Sequence, residues 1–272
     1  MRLLQHKKEA FFFYRYLSLV YDNFVNPLFW TPEMRRKALA LASLDRPDLL
    51  TIDVGSGTGF TTEGIVQDID PRNVTCVDQS PHQYAQFSKK AHLKQCRFQQ
   101  GDAEDIPFPT DHFDRYVSAG SIEYWPEPQR GIAEAYRVVK PGGLALIVGP
   151  LRPENRIARA LADTWMLFPT KEQYEGWFRD AGFTAIRSEY IAPPWIRDEH
   201  YGIAIVGTKP VAGPSRLPLG PKIEHVNERR SGLGQVQYCT RFVAGSAEGF
   251  LFVPMALALS LVRQPASRPG AP

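Results

Sequence analysis

Three glycines at alternate positions, Gly55, Gly57 and Gly59, stand behind the apolar residues Leu49, Leu50, Ile52 and Val54 and before a helical stretch that starts near Thr61. A short apolar run of this kind is a strand buried on both faces. Glycine serves where the backbone turns tightly and a ligand must approach without a Cβ in the way. A strand that stops at such a turn and restarts as a helix is expected to leave unpaired N–H groups facing outward, at the strand end where doubly wound α/β proteins bind ligands. The spacing discriminates between ligands. A dinucleotide fingerprint asks for G-x-G-x-x-G, whereas here the third glycine comes one residue early and Phe60 fills the fingerprint's place. Asp78 lies 25 positions after Asp53, at the end of a second strand, Asn73–Asp78. A carboxylate there can accept both hydroxyls of a ribose. The plain alternatives are a glycine turn in some other α/β enzyme and an exposed strand-end aspartate.

Asp53-x-Gly55-x-Gly57-x-Gly59 resembles motif I of class I S-adenosylmethionine (SAM) methyltransferases, and two later stretches agree with it. Gly101-Asp102-Ala103-Glu104-Asp105 follows a third strand, Cys96–Gln100, and resembles the superfamily segment that holds adenine. There an aspartate accepts from the exocyclic amine and the next residue abuts the ring. Arg137–Gly143, RVVKPGG, matches the turn before the superfamily's fifth strand. The resemblance implies SAM as methyl donor, held by Asp53, Gly55, Ser56, Gly57, Gly59, Asp78, Gln79, Asp102, Ala103 and Ser118.

Methyl transfer from a sulfonium needs a nucleophile in line with the S–CH₃ bond, so positioning is much of the catalysis. Where the acceptor is a ring carbon beside a hydroxyl, it becomes nucleophilic when that hydroxyl loses its proton, which calls for a base or a hydrogen-bond acceptor. It belongs after the fourth strand, Phe113–Ala119, where SAGSIEYW offers Glu123 and Tyr124. His82, at the start of the helix beyond Asp78, is a third candidate. For each, a surface or packing role is the competing reading. The six histidines do not pair at ligand spacing, so no metal is expected.

These residues need a frame, and the chain supplies one. Its 272 residues carry 32 basic and 29 acidic side chains, a net +3 without a dense basic block, which argues against a nucleic-acid partner. Cys76, Cys96 and Cys239 form no C-x-x-C pair, so neither a disulfide framework nor a zinc site is expected. Thr31-Pro32 opens a helix to about Ser43, and Pro126–Val139 reads as another. Strand Leu144–Gly149, a helical region over 151–182, and strands Phe183–Ile191 and Tyr201–Gly207 complete an α/β fold. The expectation is a Rossmann-like, seven-stranded sheet with helices on both faces.

The flanks read differently. Phe13, Leu17, Val20 and Phe24 fall at helical spacing, so residues 1–45 are expected to be a helical segment. It either packs on the core, covers an apolar substrate, or rests on a bilayer beside Arg2, Lys7 and Lys8. The catalytic domain is expected over 46–209, a Pro/Gly-rich linker over 210–241, a membrane anchor over 242–262 and a disordered tail over 263–272. The 21 residues of 242–262 are long enough to span a bilayer. Their ten Leu, Val and Phe residues favour insertion by roughly 3–6 kcal/mol, opposed by about 2–3 kcal/mol for Glu248. With the fold complete by Gly207, residues 210–272 are expected to add location rather than chemistry.

Taken together, the chain resembles the plant and green-algal 2-methyl-6-phytyl-1,4-hydroquinone (2-methyl-6-solanesyl-1,4-hydroquinone) methyltransferase family of the chloroplast inner envelope. The match is carried by Gln5–Asp22, Ile52–Thr62, Asp78–Gln83, Gly101–Asp111, Arg115–Gly143 and Trp165–Pro169. It covers about residues 3–209, while the tail after Pro210 matches poorly. The resemblance implies methylation of a ring carbon in plastoquinone and vitamin E synthesis, with a prenylated benzoquinol and membrane lipid as partners. It leaves oligomeric state open. No transit peptide is visible before Gln5, so a mature form, a truncated gene model and a host that needs no import are all compatible. The competing functions are a demethylmenaquinol-type or other small-molecule methyltransferase, and a SAM-binding membrane protein without catalysis.

Overall fold

The computed structural model describes residues 30–222, apart from 157, 158, 160–166, 195, 197 and 198. The N-terminal aromatic stretch, Trp165 and the hydrophobic segment 242–262 therefore lie outside the described residues. Among the described residues no helix is long and apolar enough to cross a membrane.

Seven strands form one sheet: β1 Thr51–Val54, β2 Val74–Asp78, β3 Arg97–Gln100, β4 Phe113–Ala119, β5 Val139–Pro150, β6 Thr184–Ile191 and β7 Gly202–Thr208. Their order is β3-β2-β1-β4-β5-β7-β6, and β7 alone runs against its neighbours. The chain steps outward from β1 to β2 and β3, then returns to lay β4 on the other side of β1. That reversal opens a crevice at the carboxyl ends of β1 and β4, where an open α/β sheet binds its ligand.

The helices are α1 Pro32–Ala40, α2 Phe60–Ile65, α3 Pro81–Phe87, α4 Pro128–Val138 and α5 Lys171–Ala181. Both faces of the sheet are covered, and the two-residue period of β5 divides the core. Ala145 and Ile147 pack with Phe113, Tyr136 and Phe178 on the α4/α5 side. Leu146 and Val148 pack with Met34, Ile65 and Phe87 on the α1/α2/α3 side.

Three elements differ from the sequence-based expectations. Helix α1 starts as expected, with Thr31 Oγ1 accepting from Met34 N at 3.2 Å, but ends at Ala40, ahead of Ser43 in a left-handed conformation (φ 49°). The region 151–182 is not one helix. Residues 151–153 and 167–170 are irregular, and α5 begins anew at a capping box in which Thr170 and Gln173 each accept the other's backbone N–H. Pro153 and Pro169, which lack an N–H, oppose helix continuity there. Strand β5 starts five residues early, because Val139 already pairs with Phe113 before the register shifts to Arg115 opposite Leu144.

Candidate functional site

The glycine turn after β1 places all three glycines at positive φ, 72°, 55° and 92° for Gly55, Gly57 and Gly59. Gly55 also lies against the loop after β4: a Cβ there would stand 2.2 Å from Ser121 Oγ. Any larger residue is therefore strained twice, by its dihedral and by its neighbour.

The expectation that this turn exposes unpaired N–H groups is corrected by its hydrogen bonds. Gly55 N and Ser56 N both donate to Val77 O, Gly59 N donates to Ser56 O, and Gly57 N donates to Asp78 Oδ2 at 2.9 Å. The turn uses these donors to fasten itself to β2 and itself. It offers a ligand close approach at Gly55 and Gly57 rather than the ring of N–H groups that cradles a phosphate.

Asp78 closes the other side. Its Oδ2 accepts from Gly57 N and its Oδ1 from Ser80 N at 2.8 Å, which fixes the carboxylate at the end of β2. Burial raises its pKa, and the bonds from Ser80, Gly57 and Gln79 N–H oppose the rise. Asp53 sits beneath, fully buried in β1, with Thr62 Oγ1 donating to Oδ2 at 2.6 Å. Its Oδ1 has no partner among the described residues, and burial pushes its pKa up to about 7. Asp53 thus braces β1 against α2 and does not reach the crevice.

The crevice encloses about 1250 Å³ with its open mouth included. Its polar lining includes the glycine turn, Asp78, Gln79 and Asp102, with Ala103 beside them. Its aromatic and apolar lining includes Trp30, Met34, Phe60, Tyr124 and Trp125. Arg35 joins this lining, stacked 4.5 Å over the Phe60 ring and paired with Glu63 at 3.6 Å. Trp125 Nε1 donates to Ser121 Oγ at 2.9 Å, and Gly131 gives the indole room on α4.

Of the residues singled out in the sequence, Gly55, Ser56, Gly57, Asp78, Gln79, Asp102, Ala103 and Tyr124 line the crevice together. Asp53, Gly59, Ser118, Glu123 and His82 do not line it. Gly59 caps α2, Ser118 is buried within β4, and His82 stands on the first turn of α3 while its neighbour Gln83 faces the crevice. Glu123 is nearly fully buried behind Gly120, a crevice residue whose added Cβ would lie 3.9 Å from Glu123 Oε1. Its Oε2 has no partner among the described residues, and burial pushes its pKa up to about 8.

Sequence reading did not single out Trp30, Met34, Arg35, Gly120, Ser121 and Trp125. The run SAGSIEYW after β4 was a signal for the last three. Nothing local tied α1 to the crevice. Among the described residues, no three His, Cys, Asp or Glu side chains are grouped to hold a metal ion.

This geometry fits the nucleoside-bearing donor inferred from sequence: a carboxylate fixed at the end of β2, a glycine turn beside it, and Asp102-Ala103 after β3. A methyltransferase-domain family model matches residues 52–147. The putative methyltransferase in a complex with the Haloferax volcanii Trm112 activator shares the fold at a TM-score of 0.62 and 19% identity, covering 76% of this chain and 98% of that one. Fold and site together define a class I, SAM-dependent methyltransferase. The chain is 51% identical over 257 residues to the chloroplastic 2-methyl-6-phytyl-1,4-hydroquinone methyltransferase of Spinacia oleracea, covering 93% of this chain and 74% of the relative. It belongs to that family. A demethylmenaquinone methyltransferase of Chlorobaculum parvum is 33% identical over 146 residues, 53% of this chain and 56% of that one.

Proposed function

We propose that the protein methylates one ring carbon of a 2-methyl-6-prenyl-1,4-benzoquinol, phytyl or solanesyl, in tocopherol and plastoquinone synthesis. The observation that carries this is the 51% identity extending over 93% of the chain, well beyond the domain shared with other methyltransferases. The demethylmenaquinone enzyme matches only about half of the chain, which favours the prenylbenzoquinol over its rival.

SAM, when bound, supplies an electrophilic methyl group on a sulfonium. Asp78 is suited to hold its ribose hydroxyls, Asp102 its adenine amine and Ala103 the ring, with Gly55, Ser56 and Gly57 allowing close approach. The aromatic lining of the crevice suits a quinol ring and excludes water from it. Replacing a ring hydrogen by methyl releases one proton overall. Glu123 is our candidate acceptor, because burial brings its pKa to about 8, near the range where a base works best. Its Oε1 lies 3.9 Å from where a Cβ on Gly120 would stand, and Tyr124 on the crevice wall is suited to orient the quinol oxygen.

The family assignment also supports a chloroplast location at the inner envelope, with 242–262 as a single-pass anchor beside a lipid-soluble substrate. The test is to incubate the full chain in membranes with labelled SAM and each prenylated quinol. Mass spectrometry is expected to find one methyl on carbon and none on oxygen. An O-methyl ether, or conversion of demethylmenaquinol alone, would overturn the assignment. Release of the full chain from membranes by salt would overturn the anchor.

A further inference from the structure

Strand β7 ends on the side of the sheet opposite the crevice, since Thr208 pairs with Leu144 and Gly202 with Pro150. The chain does not leave the domain there. Lys209 is fully buried, ion-paired to Asp111 and lying 4.7 Å over the Tyr136 ring. Gly213 N then donates to Asp111 Oδ2 at 2.9 Å, and Ser215 Oγ donates to Ala181 O at 2.8 Å. Tyr136, near the C-terminal end of α4, donates its hydroxyl to Val211 O. Arg130, near the N-terminal end, donates to Gly220 O at 2.6 Å. Residues 209–222 thus climb the length of α4 and return to the crevice side.

At the top of this climb Lys222 Nζ stands 3.2 Å from Asp102 Oδ2 and 3.0 Å from Asp105 Oδ2. The Oδ1 of Asp102 accepts from Glu104 N at 3.0 Å. Each carboxylate oxygen of Asp102 therefore has a donor on it that sets its rotation, one from its own loop and one from a residue 120 positions away. A carboxylate oxygen has two acceptor sites, so the ammonium leaves room for a further donor.

We propose that Lys222 is a positioning residue of the cofactor site, holding Asp102 in the orientation that accepts the adenine amine, and that the strap 209–222 is part of the site. This rests on the assignment of Asp102 to adenine. It also changes the expectation for the tail, whose first stretch would contribute to cofactor recognition as well as to location.

The test is calorimetric titration of the full chain with S-adenosylhomocysteine and with S-inosylhomocysteine, which carries a carbonyl in place of the amine. Lys222→Ala is expected to weaken adenosyl binding about three-fold, the scale of a partly exposed ion pair, and to leave inosyl binding unchanged. Lys222→Arg is expected to restore most of the preference. In an Asp102→Ala background the Lys222 change is expected to have no further effect. Equal weakening of both ligands, or a Lys222 effect that persists without Asp102, would overturn the proposal. A distinct result, Asp102→Ala leaving the adenosyl preference intact, would overturn the adenine assignment itself. Lys222 is one-third exposed, so melting temperature is expected to stay constant across the Lys222 variants.

Discussion

The polar and the aromatic lining of the crevice are built in different ways. In the polar lining, the glycine turn, Asp78 and the Gly101–Asp105 loop are each short sequence runs, the first and last tied to β2 by Gly55, Ser56 and Gly101 N–H groups, and Asp78 and Asp102 held by N–H groups of the turns around them. In the aromatic lining, Trp30 stands just before α1, Met34 lies on α1, Phe60 opens α2, and Tyr124 and Trp125 follow β4. No single run of sequence makes that lining. Each polar piece is a short run legible by itself, while the aromatic pieces carry no common local pattern. Gly55 joins the two, because its missing Cβ is the space Ser121 occupies.

Breaking that junction has the largest expected effect. Gly55→Val adds a branched side chain at a φ of 72° with Ser121 Oγ 2.2 Å from its Cβ. Dihedral strain alone costs about 1–3 kcal/mol, and the clash adds to it. Calorimetry is expected to detect no SAM binding, with circular dichroism reporting a lower melting temperature.

Glu123→Gln tests the substrate chemistry alone. With Glu123 as proton acceptor, kcat is expected to fall by about 10²–10⁴-fold while SAM affinity holds. The wild-type rate should rise as pH passes about 8, where the carboxylate forms, and the variant should lose that inflection. A pH–rate profile identical in both proteins would remove Glu123 from the reaction.

Asp78→Ala tests the polar lining alone. The loss of a charged acceptor is expected to weaken SAM binding by about 1.5–3 kcal/mol and to leave the quinol KM in place at saturating donor. Unchanged affinity by calorimetry would refute the ribose assignment.

The remaining expected effect is on stability. Asp53 and Glu123 have folded pKa values of about 7 and about 8, above their ordinary values of 3.8 and 4.5. A raised carboxylate pKa means that the folded state holds the proton more tightly. Stability is then greatest below the ordinary values and declines as pH rises through the folded ones. Urea unfolding at pH 5 and pH 8 is expected to show the wild type less stable at the higher pH, with Asp53→Asn flattening the lower part of that slope. A slope of the opposite sign would mean that the folded state favours the ionised carboxyls.

Residue order alone determined the strands, the glycine turn, Asp78 and the Asp102-Ala103 pair, and with them the class of ligand. These features are legible because a buried strand, a positive-φ turn and a strand-end carboxylate each depend on residues within a few positions of one another. Residue order misjudged what the turn does with its N–H groups. Val77 O and Asp78, which take three of them, belong to a strand more than twenty residues further along. Only the tertiary structure decided that α1 walls the crevice, that Glu123 is sealed behind Gly120, and that Lys222 returns to Asp102. The first and last of these are meetings of segments far apart in the chain, set by how helices and strands pack on the sheet, and the burial of Glu123, three residues from Gly120, depends on what packs over their shared loop.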